Sequence, residues 1–419
     1  MRKLFLVFSI WAVCLALMLN TGNELFQDLF YLFSGLIILS FLWTWLNLRG
    51  LEIEMIVPSI RTQVGQVMEE ELVIRNTSPL PKFWLEVRDH STLPGHTAGR
   101  VISSLGRRKE RRWPVKTLCR KRGIFTLGPI TVVSSDPLGL MRLARTFPIS
   151  KQLLVYPATF PLPYFELRTG ELPGGEAVRR RTHYVTTNVA GVRDYFPGDS
   201  FNRIHWPTTA HVGHLMVKEF ELDPLSDIWL FLDVQESAQR GVPWSKSILE
   251  QWGPALIWSR TGTVKLEPTT EEYGIAVAAS LAKHLLAKRR AVGLVAQSRR
   301  RYVIRPERGE RQLVKILETL AMIKADGITP FEYVLAADGL TLERNSTIVA
   351  ITPSWSASWA RVLHRIKARG LEVLAVLLAA ETFGSAPSYT DALAELRAGG
   401  IPVILLRNGD EISATLRLL

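Results

Sequence analysis

Two long runs without a charged residue, from Leu4 to Leu19 and from Leu29 to Leu48, constrain this chain more than anything else in it. At a helical rise of about 1.5 Å per residue, each approaches the roughly 30 Å of hydrocarbon in a bilayer. Asn20-Thr21-Gly22-Asn23-Glu24 separates them, with Asp28 just ahead of the second, which suits the turn of a helical hairpin. Arg2 and Lys3 precede the first run, as in a secretory signal, but no small-x-small cleavage site follows and a second run arrives at once. The expectation is a two-pass anchor over residues 1–50, in preference to a signal peptide or a buried hairpin of a soluble protein. Arg2, Lys3 and Arg49 flank the pair while the connecting loop has no Lys or Arg. The positive-inside rule then puts both termini and the soluble domains in the cytoplasm, on the cell inner membrane. Trp43 and Trp45 suit the interfacial aromatic belt.

The remaining length is enough for two or three packed domains. Two cysteines, Cys14 and Cys119, offer neither a disulfide framework nor metal-ligand spacing, which suits a reducing compartment. A formal net charge of +12 favours anionic neighbours: lipid headgroups, nucleic acid or an acidic protein.

Residues 51–157 read as a β-sandwich. Short alternating runs at 67–76, 83–88 and 123–133 are punctuated by turn residues such as Thr77-Ser78-Pro79 and Gly128-Pro129. A basic cluster, Arg107, Arg108, Lys109, Arg111 and Arg112, continues through Lys116 to Arg122. It is a candidate anionic surface for membrane lipid, weighed against a merely solvated strand face. Nucleic acid is not expected as a partner, because no helix-turn-helix, zinc spacing or aromatic-interleaved motif accompanies the charge.

Residues 158–224 read as a linking region. Its densest part runs from Arg193 to Glu221 and carries Arg193, Tyr195, Gly198, Asp199, Arg203, His205, Trp206, Lys218 and Glu219. Pro197-Gly198-Asp199 is a turn. Arg203 to Trp206 alternates in the strand period. An Asp199–Arg203 pair across the turn and a buried Trp206 are expected to organise the loop. Two sharper readings compete. His205, His211 and His214 with Asp199 could ligate a metal as a metal-dependent hydrolase, although the spacing is not of the HExxH kind. Alternatively, Arg193, Arg203 and Lys218 face a partner's carboxylates or phosphate.

These residues also carry a likeness. Arg193-x-Tyr195-x-x-Gly198-Asp199-x-x-x-Arg203-Ile204-x-Trp206, followed by Leu215-x-Val217-Lys218-Glu219-x-Glu221, resembles the signature of the domain of unknown function 58 family. An upstream block, Arg122-Gly123 through Gly128-Pro129 and then Asp136-Pro137-Leu138-Gly139-Leu140, resembles it too.

Residues 225–419 change character again. A nearly continuous apolar strand, 227–233, ends in Asp233, and helical patterns alternate with strands at 271–290, 291–297, 310–325, 347–352, 356–369, 372–378, 389–398 and 403–407. This alternation predicts an α/β domain with a mostly parallel sheet. The half resembles a von Willebrand factor type A domain. That likeness implies a divalent cation such as magnesium held after the first strand by Asp233 and Ser237, with Thr270 or Thr269 supplying a hydroxyl. Gln235 stands where such domains carry a middle serine, and no aspartate follows Thr352.

The function expected is a non-enzymatic, membrane-anchored scaffold or adaptor that docks partner proteins. The family likeness implies work with a MoxR-type AAA+ ATPase in protein assembly or maturation at the envelope. A metal-dependent hydrolase centred on Asp199 and His205, and an anionic-surface protein binding lipid or nucleic acid, are the alternatives.

Overall fold

The computed structural model describes residues 2–166, 189–197, 199, 201, 204–220, 227–245, 264–343 and 346–417. Helices α1 (Arg2–Thr21) and α2 (Glu24–Leu48) form the antiparallel N-terminal hairpin, and both are long and apolar enough to cross a membrane. Asn23 caps α2 by accepting from the Leu25 amide at 3.0 Å. The helices hold each other through Trp11, whose ring lies 5.5 Å from Phe30 and whose Nε1 donates to Ser34 Oγ at 2.7 Å.

No spacer follows. After Arg49, Gly50 turns the chain at φ +69° directly into the first strand, and a Cβ there would stand 3.0 Å from Ser78 Cβ. The positive φ favours glycine, and the close approach of Ser78 adds to that preference.

Ten strands make the β-rich middle region: β1 (Leu51–Ile56), β2 (Arg61–Gln63), β3 (Val67–Asn76), β4 (Lys82–Asp89), β5 (Arg100–Leu105), β6 (Glu110–Leu118), β7 (Gly123–Leu127), β8 (Ile130–Ser135), β9 (Arg142–Phe147) and β10 (Lys151–Tyr156). They form three sheets, ordered β1-β3-β6, β2-β10-β7 and β5-β4-β8-β9, round one core that includes Leu72, Leu85, Leu127, Val132 and Leu153. The alternation in β3 places Met68, Glu70 and Leu72 inward. The two strands flanking Gly128-Pro129 do not pair with each other, because β7 joins β10 while β8 joins β4 and β9.

The first residues of the expected linking region cross from the β-region core, which includes Ala158, to the C-terminal body: Leu162 and Phe165 are part of the latter's core, and the Phe160 amide donates to Ser280 Oγ at 2.9 Å. A two-stranded hairpin, β11 (Val189–Asp194) with β12 (Met216–Phe220), encloses the short helix α3 (Trp206–Val212).

The C-terminal body is an α/β domain. Its sheet is ordered β15-β14-β13-β16-β17-β18, built from β13 (Asp227–Leu232), β14 (Val292–Gln297), β15 (Arg301–Glu307), β16 (Ser346–Thr352), β17 (Glu372–Leu378) and β18 (Val403–Leu406). Only β15 is antiparallel. Helices α4 (Thr270–Ala287) and α5 (Glu310–Met322) cover one face, where Ile228, Leu230 and Leu232 meet Val277, Leu281 and Ile316. On the other face Phe231 meets Trp359 and Leu363, from a helix spanning Ser358–Ala368. Burial on both faces is why β13 and β16 read as unbroken apolar runs.

Candidate functional site

The signature hairpin is built by three local devices. Arg193 grips Asp199 with both arms, Nη1 to Oδ2 and Nη2 to Oδ1, each at 2.8 Å. Asp199 Oδ2 also accepts from the Phe196 amide at 3.0 Å, so one carboxylate closes the turn after β11. The expected Asp199–Arg203 pair falls on Arg203, which with Gly198 lies outside the described residues; the Asp199 partner that is described is Arg193.

The second device is a helix start. His205 Nδ1 lies 2.7 Å from Thr208 Oγ1 and accepts from the Thr208 amide at 3.3 Å, capping α3. Pro207 sits in the first turn, where a missing N–H costs nothing. The alternation from Arg203 to Trp206 therefore does not continue as a strand. Trp206 does not anchor the loop by burial either: it is 64% exposed, because it opens the helix on its outer side. The anchors are instead Ile204 and Val217, buried and bridged to each other.

The third device ends the helix. Gly213 adopts φ +81° as the left-handed C-cap, and the Met216 amide donates to Thr209 Oγ1 at 3.0 Å to set β12. Lys218 then pairs with Val192 and Glu219 with Gly191 across the hairpin, while the Tyr195 amide donates to the Leu215 carbonyl at 2.9 Å.

What this unit leaves outside is aromatic. Phe196 is 64% exposed, Phe201 69% and Trp206 64%. The Arg193 guanidinium lies 5.7 Å from the Phe196 ring, and Tyr195 packs on Phe201 at 6.0 Å. Its histidines do separate work: His205 caps α3, and His214 Nε2 pairs with Asp194 Oδ1 at 2.9 Å on the surface. Asp199 is committed to Arg193. Among the described residues no three His, Cys, Asp or Glu side chains are arranged to hold a metal ion, so the hydrolase reading of Asp199, His205, His211 and His214 has no geometric support.

The carboxyl end of β13 carries the other candidate. Asp233 is buried; its carboxylate accepts from Thr352 Oγ1 at 2.6 Å and from the Gln235 amide at 3.0 Å. Burial pushes the Asp233 carboxyl up to about 6, against the lowering effect of those bonds. Ser237 Oγ accepts from Gln235 Nε2 at 2.6 Å, and Thr270 Oγ1 donates to Gln239 Oε1 at 2.7 Å. Arg240 ties the rim together, donating to the carbonyls of Ser237 and Ser385 at 2.8 Å and stacking 4.8 Å from Trp355. A magnesium ion requires about six oxygens in near-octahedral array. Here Asp233 is a lone carboxyl group with its proton affinity raised, and the Ser237 and Thr270 hydroxyls are engaged in bonds across the loop. These residues do not fit the cation site implied by the von Willebrand likeness; they staple the sheet edge.

Two polar centres have partners that the sequence did not reveal. Arg122, from the upstream motif, is buried where the β-rich region meets the α/β domain. It donates to the Leu320 and Ile323 carbonyls at 3.1 and 2.8 Å, to Glu271 Oε1 at 2.6 Å, and to Glu272. His96 is enclosed between Asp89 Oδ2 at 3.1 Å and Glu70 Oε1 at 3.6 Å, with Thr117 Oγ1 2.8 Å from its other nitrogen. Burial alone would lower the His96 pKa, but bonds to the two carboxylates raise it to about 9.

Two apolar helices, a β-rich region, a clamped hairpin and an α/β domain define a multidomain chain whose compact signature unit presents aromatic side chains. Residues 191–247 match the family described as protein of unknown function DUF58. A relative of the chain, the uncharacterized protein YeaD of Bacillus subtilis (strain 168), is 23% identical over 239 residues. That match takes in 55% of this chain and 60% of the relative, so the chain spans less than two thirds of the relative's length. Among solved structures, the CARDB domain of a Pyrococcus furiosus protein in complex with di-metal ions is 17% identical, covering 25% of this chain and 91% of its own, with a TM-score of 0.19. The sporulation control protein Spo0M of Bacillus subtilis is 8% identical over 25% of this chain and 49% of its own, with a TM-score of 0.16. Scores of that size carry no argument about this chain.

Proposed function

We propose that this protein is a two-pass, inner-membrane docking protein whose signature hairpin grips a partner protein on the cytoplasmic side. The α/β domain is read as a von Willebrand factor type A-like fold without a working cation site. One observation carries the reading. The Arg193–Asp199 clamp fixes a turn on which Phe196 and Phe201 stand exposed, with Trp206 exposed on the helix that follows. Ordered, exposed aromatic side chains are costly in water and typical of the anchors that dominate protein interfaces. The partner suggested by the family likeness is a MoxR-type AAA+ ATPase, with protein assembly or maturation at the envelope as the process served.

The test is a titration of the full-length protein, reconstituted in nanodiscs, with the MoxR-type ATPase from the same cells. Trp206→Ala should weaken binding about 30-fold, the scale of an interface anchor, with the melting of the protein unchanged. Equal affinity for wild type, Trp206→Ala and Phe201→Ala would remove the hairpin from the interface. No binding to wild type would remove the ATPase.

A further inference from the structure

The hairpin helices do not hang from the β-rich region by a tether; α2 is built into one end of it. Leu48, the last residue of α2, belongs to the β-region core. Asn47 donates to Ser134 Oγ at 2.6 Å and to the Phe83 carbonyl, and its Oδ1 accepts from the Phe83 amide at 3.0 Å. The Lys82 ammonium reaches back to the Leu46 carbonyl, and Trp43 stacks on Phe83 with ring centres 6.1 Å apart. Wherever α2 leaves a bilayer, that end of the β-region meets its surface.

Strand register shows which loops share this end. Leu51, at the start of β1, pairs with Asn76 at the end of β3, and Arg75 pairs with Glu110 at the start of β6. Lys82 pairs with Leu105 and Ser135 with Arg142. The connections 76–82, 105–110 and 135–142 therefore ring the exit of α2. Hydrogen bonds join the first of them to it and to the second: the Thr77 amide donates to the Gly50 carbonyl at 2.8 Å, the Asn76 amide to the Lys109 carbonyl at 2.9 Å, and Asn76 Nδ2 to the Gly106 carbonyl at 3.0 Å.

The ring and the adjoining start of β4 carry what a membrane interface accepts. Leu80 and Leu138 are exposed, and Trp84 is 64% exposed at φ +51°, a backbone region that a bulky residue rarely adopts. That conformation breaks the strand alternation at Trp84 and keeps its ring out of the core. The 105–110 connection supplies exposed Arg107, Arg108 and Lys109. Three of the acidic groups at this end are occupied, while Glu52 of β1 is exposed. Glu110 is held by Arg75 and Arg112, Glu86 by Arg88 and Arg142, and the Asp136 carboxylate accepts the Leu138 and Met141 amides at 3.0 and 2.6 Å. The basic run is thus two surfaces, since Arg112 lies along β6 in pairs with Glu110 and Glu71 while the 107–109 turn tops the ring.

We infer that this end of the β-region is seated in the anionic lipid interface, with Trp84, Leu80 and Leu138 entering the headgroup layer and Arg107, Arg108 and Lys109 lying on lipid phosphates. The inference rests on the membrane reading of the two helices.

The experiment uses the full chain in vesicles of phosphatidylcholine and phosphatidylglycerol, in a Cys14→Ala background; the other cysteine, Cys119, is buried with its thiol pushed up to about 11. Single cysteines at Trp84, Leu138, Leu39 and Lys116 carry an environment-sensitive fluorophore, and nitroxide lipids quench it from headgroup or mid-chain depth. Leu39 lies within α2, and Lys116 is near the far end of β6. Labels at Trp84 and Leu138 should lose emission to the headgroup quencher, Leu39 to the mid-chain quencher, and Lys116 to neither. Arg107→Glu with Arg108→Glu, or vesicles of phosphatidylcholine alone, should reduce the loss at Leu138. If Leu39 is quenched while Trp84 and Leu138 behave like Lys116, the seating is wrong and the anchor stands. If Leu39 is not quenched, the anchor itself fails and the seating with it.

Discussion

Replacing Arg122 by Met should uncouple the β-rich region from the α/β domain. The guanidinium spends its donors on four acceptors from two helices: Glu271 and Glu272 in the first turn of α4, and the Leu320 and Ile323 carbonyls at the end of α5. A cation suits the carbonyl end of α5, while carboxylates suit the start of α4, so one side chain serves both termini. Methionine fills the volume but leaves two carboxylates facing each other and two carbonyls without this donor. Removing one partner of a buried pair costs about 3–5 kcal/mol. Because the Glu271 side chain is 30% exposed and Glu272 15%, water can recover part of the loss, which places the expected cost near the lower bound, about 3 kcal/mol. A multidomain chain has no single unfolding midpoint, so the assay is calorimetry with amide exchange. The α/β transition should separate from that of the β-region and move down, and exchange should quicken first over 320–323. Arg122→Lys should rescue little, since one ammonium cannot span a four-acceptor fork. A single unshifted transition, with exchange at 320–323 unchanged, would refute the reasoning.

Two further outcomes follow from buried titrations. Asp233 has a folded pKa raised from 3.8 to about 6, so its ionisation opposes folding: stability is fully present below pH 3.8 and is lost as pH rises through 6. Asp233→Asn should then gain up to about 3 kcal/mol above pH 6 and abolish that part of the pH dependence, read by denaturant melts across pH 4–7; a loss of stability at pH 7 would contradict this. For His96, raised from 6.5 to about 9, the contribution is full below pH 6.5 and disappears as pH climbs through 9. His96→Gln should flatten the fall in β-region stability over that window, and an unchanged slope would exclude His96 as its source.

How much of this was legible depends on the range over which each feature is determined. The α/β half could be read because β13 and β16 are covered on both faces and their apolar runs are continuous. The antiparallel edge strand β15 was not, since Arg301–Glu307 alternates with charge and contains Pro306, tolerable only at an edge. In the signature, turn chemistry at Pro197–Asp199 was local and legible, whereas the bond from Arg193 to Asp199 was not, since Arg193 lies at the end of β11, whose place is set by pairing with β12 more than twenty residues on. Trp206 misled because Arg203 to Trp206 alternates like a strand while Pro207 and His205 set a helix start. Arg122 looked like one member of a basic run, and its acceptors lie about 150 and 200 residues further along the chain, a separation that no local pattern encodes.

The docking account is tested most directly by a photo-crosslinking residue placed at Phe201 of the full-length protein in living cells, with Lys116 as the control position. The account predicts a crosslinked product in the membrane fraction containing the MoxR-type ATPase from Phe201 and none from Lys116. Equal products from both positions, no ATPase from Phe201, or recovery of the chain in the soluble fraction would contradict it.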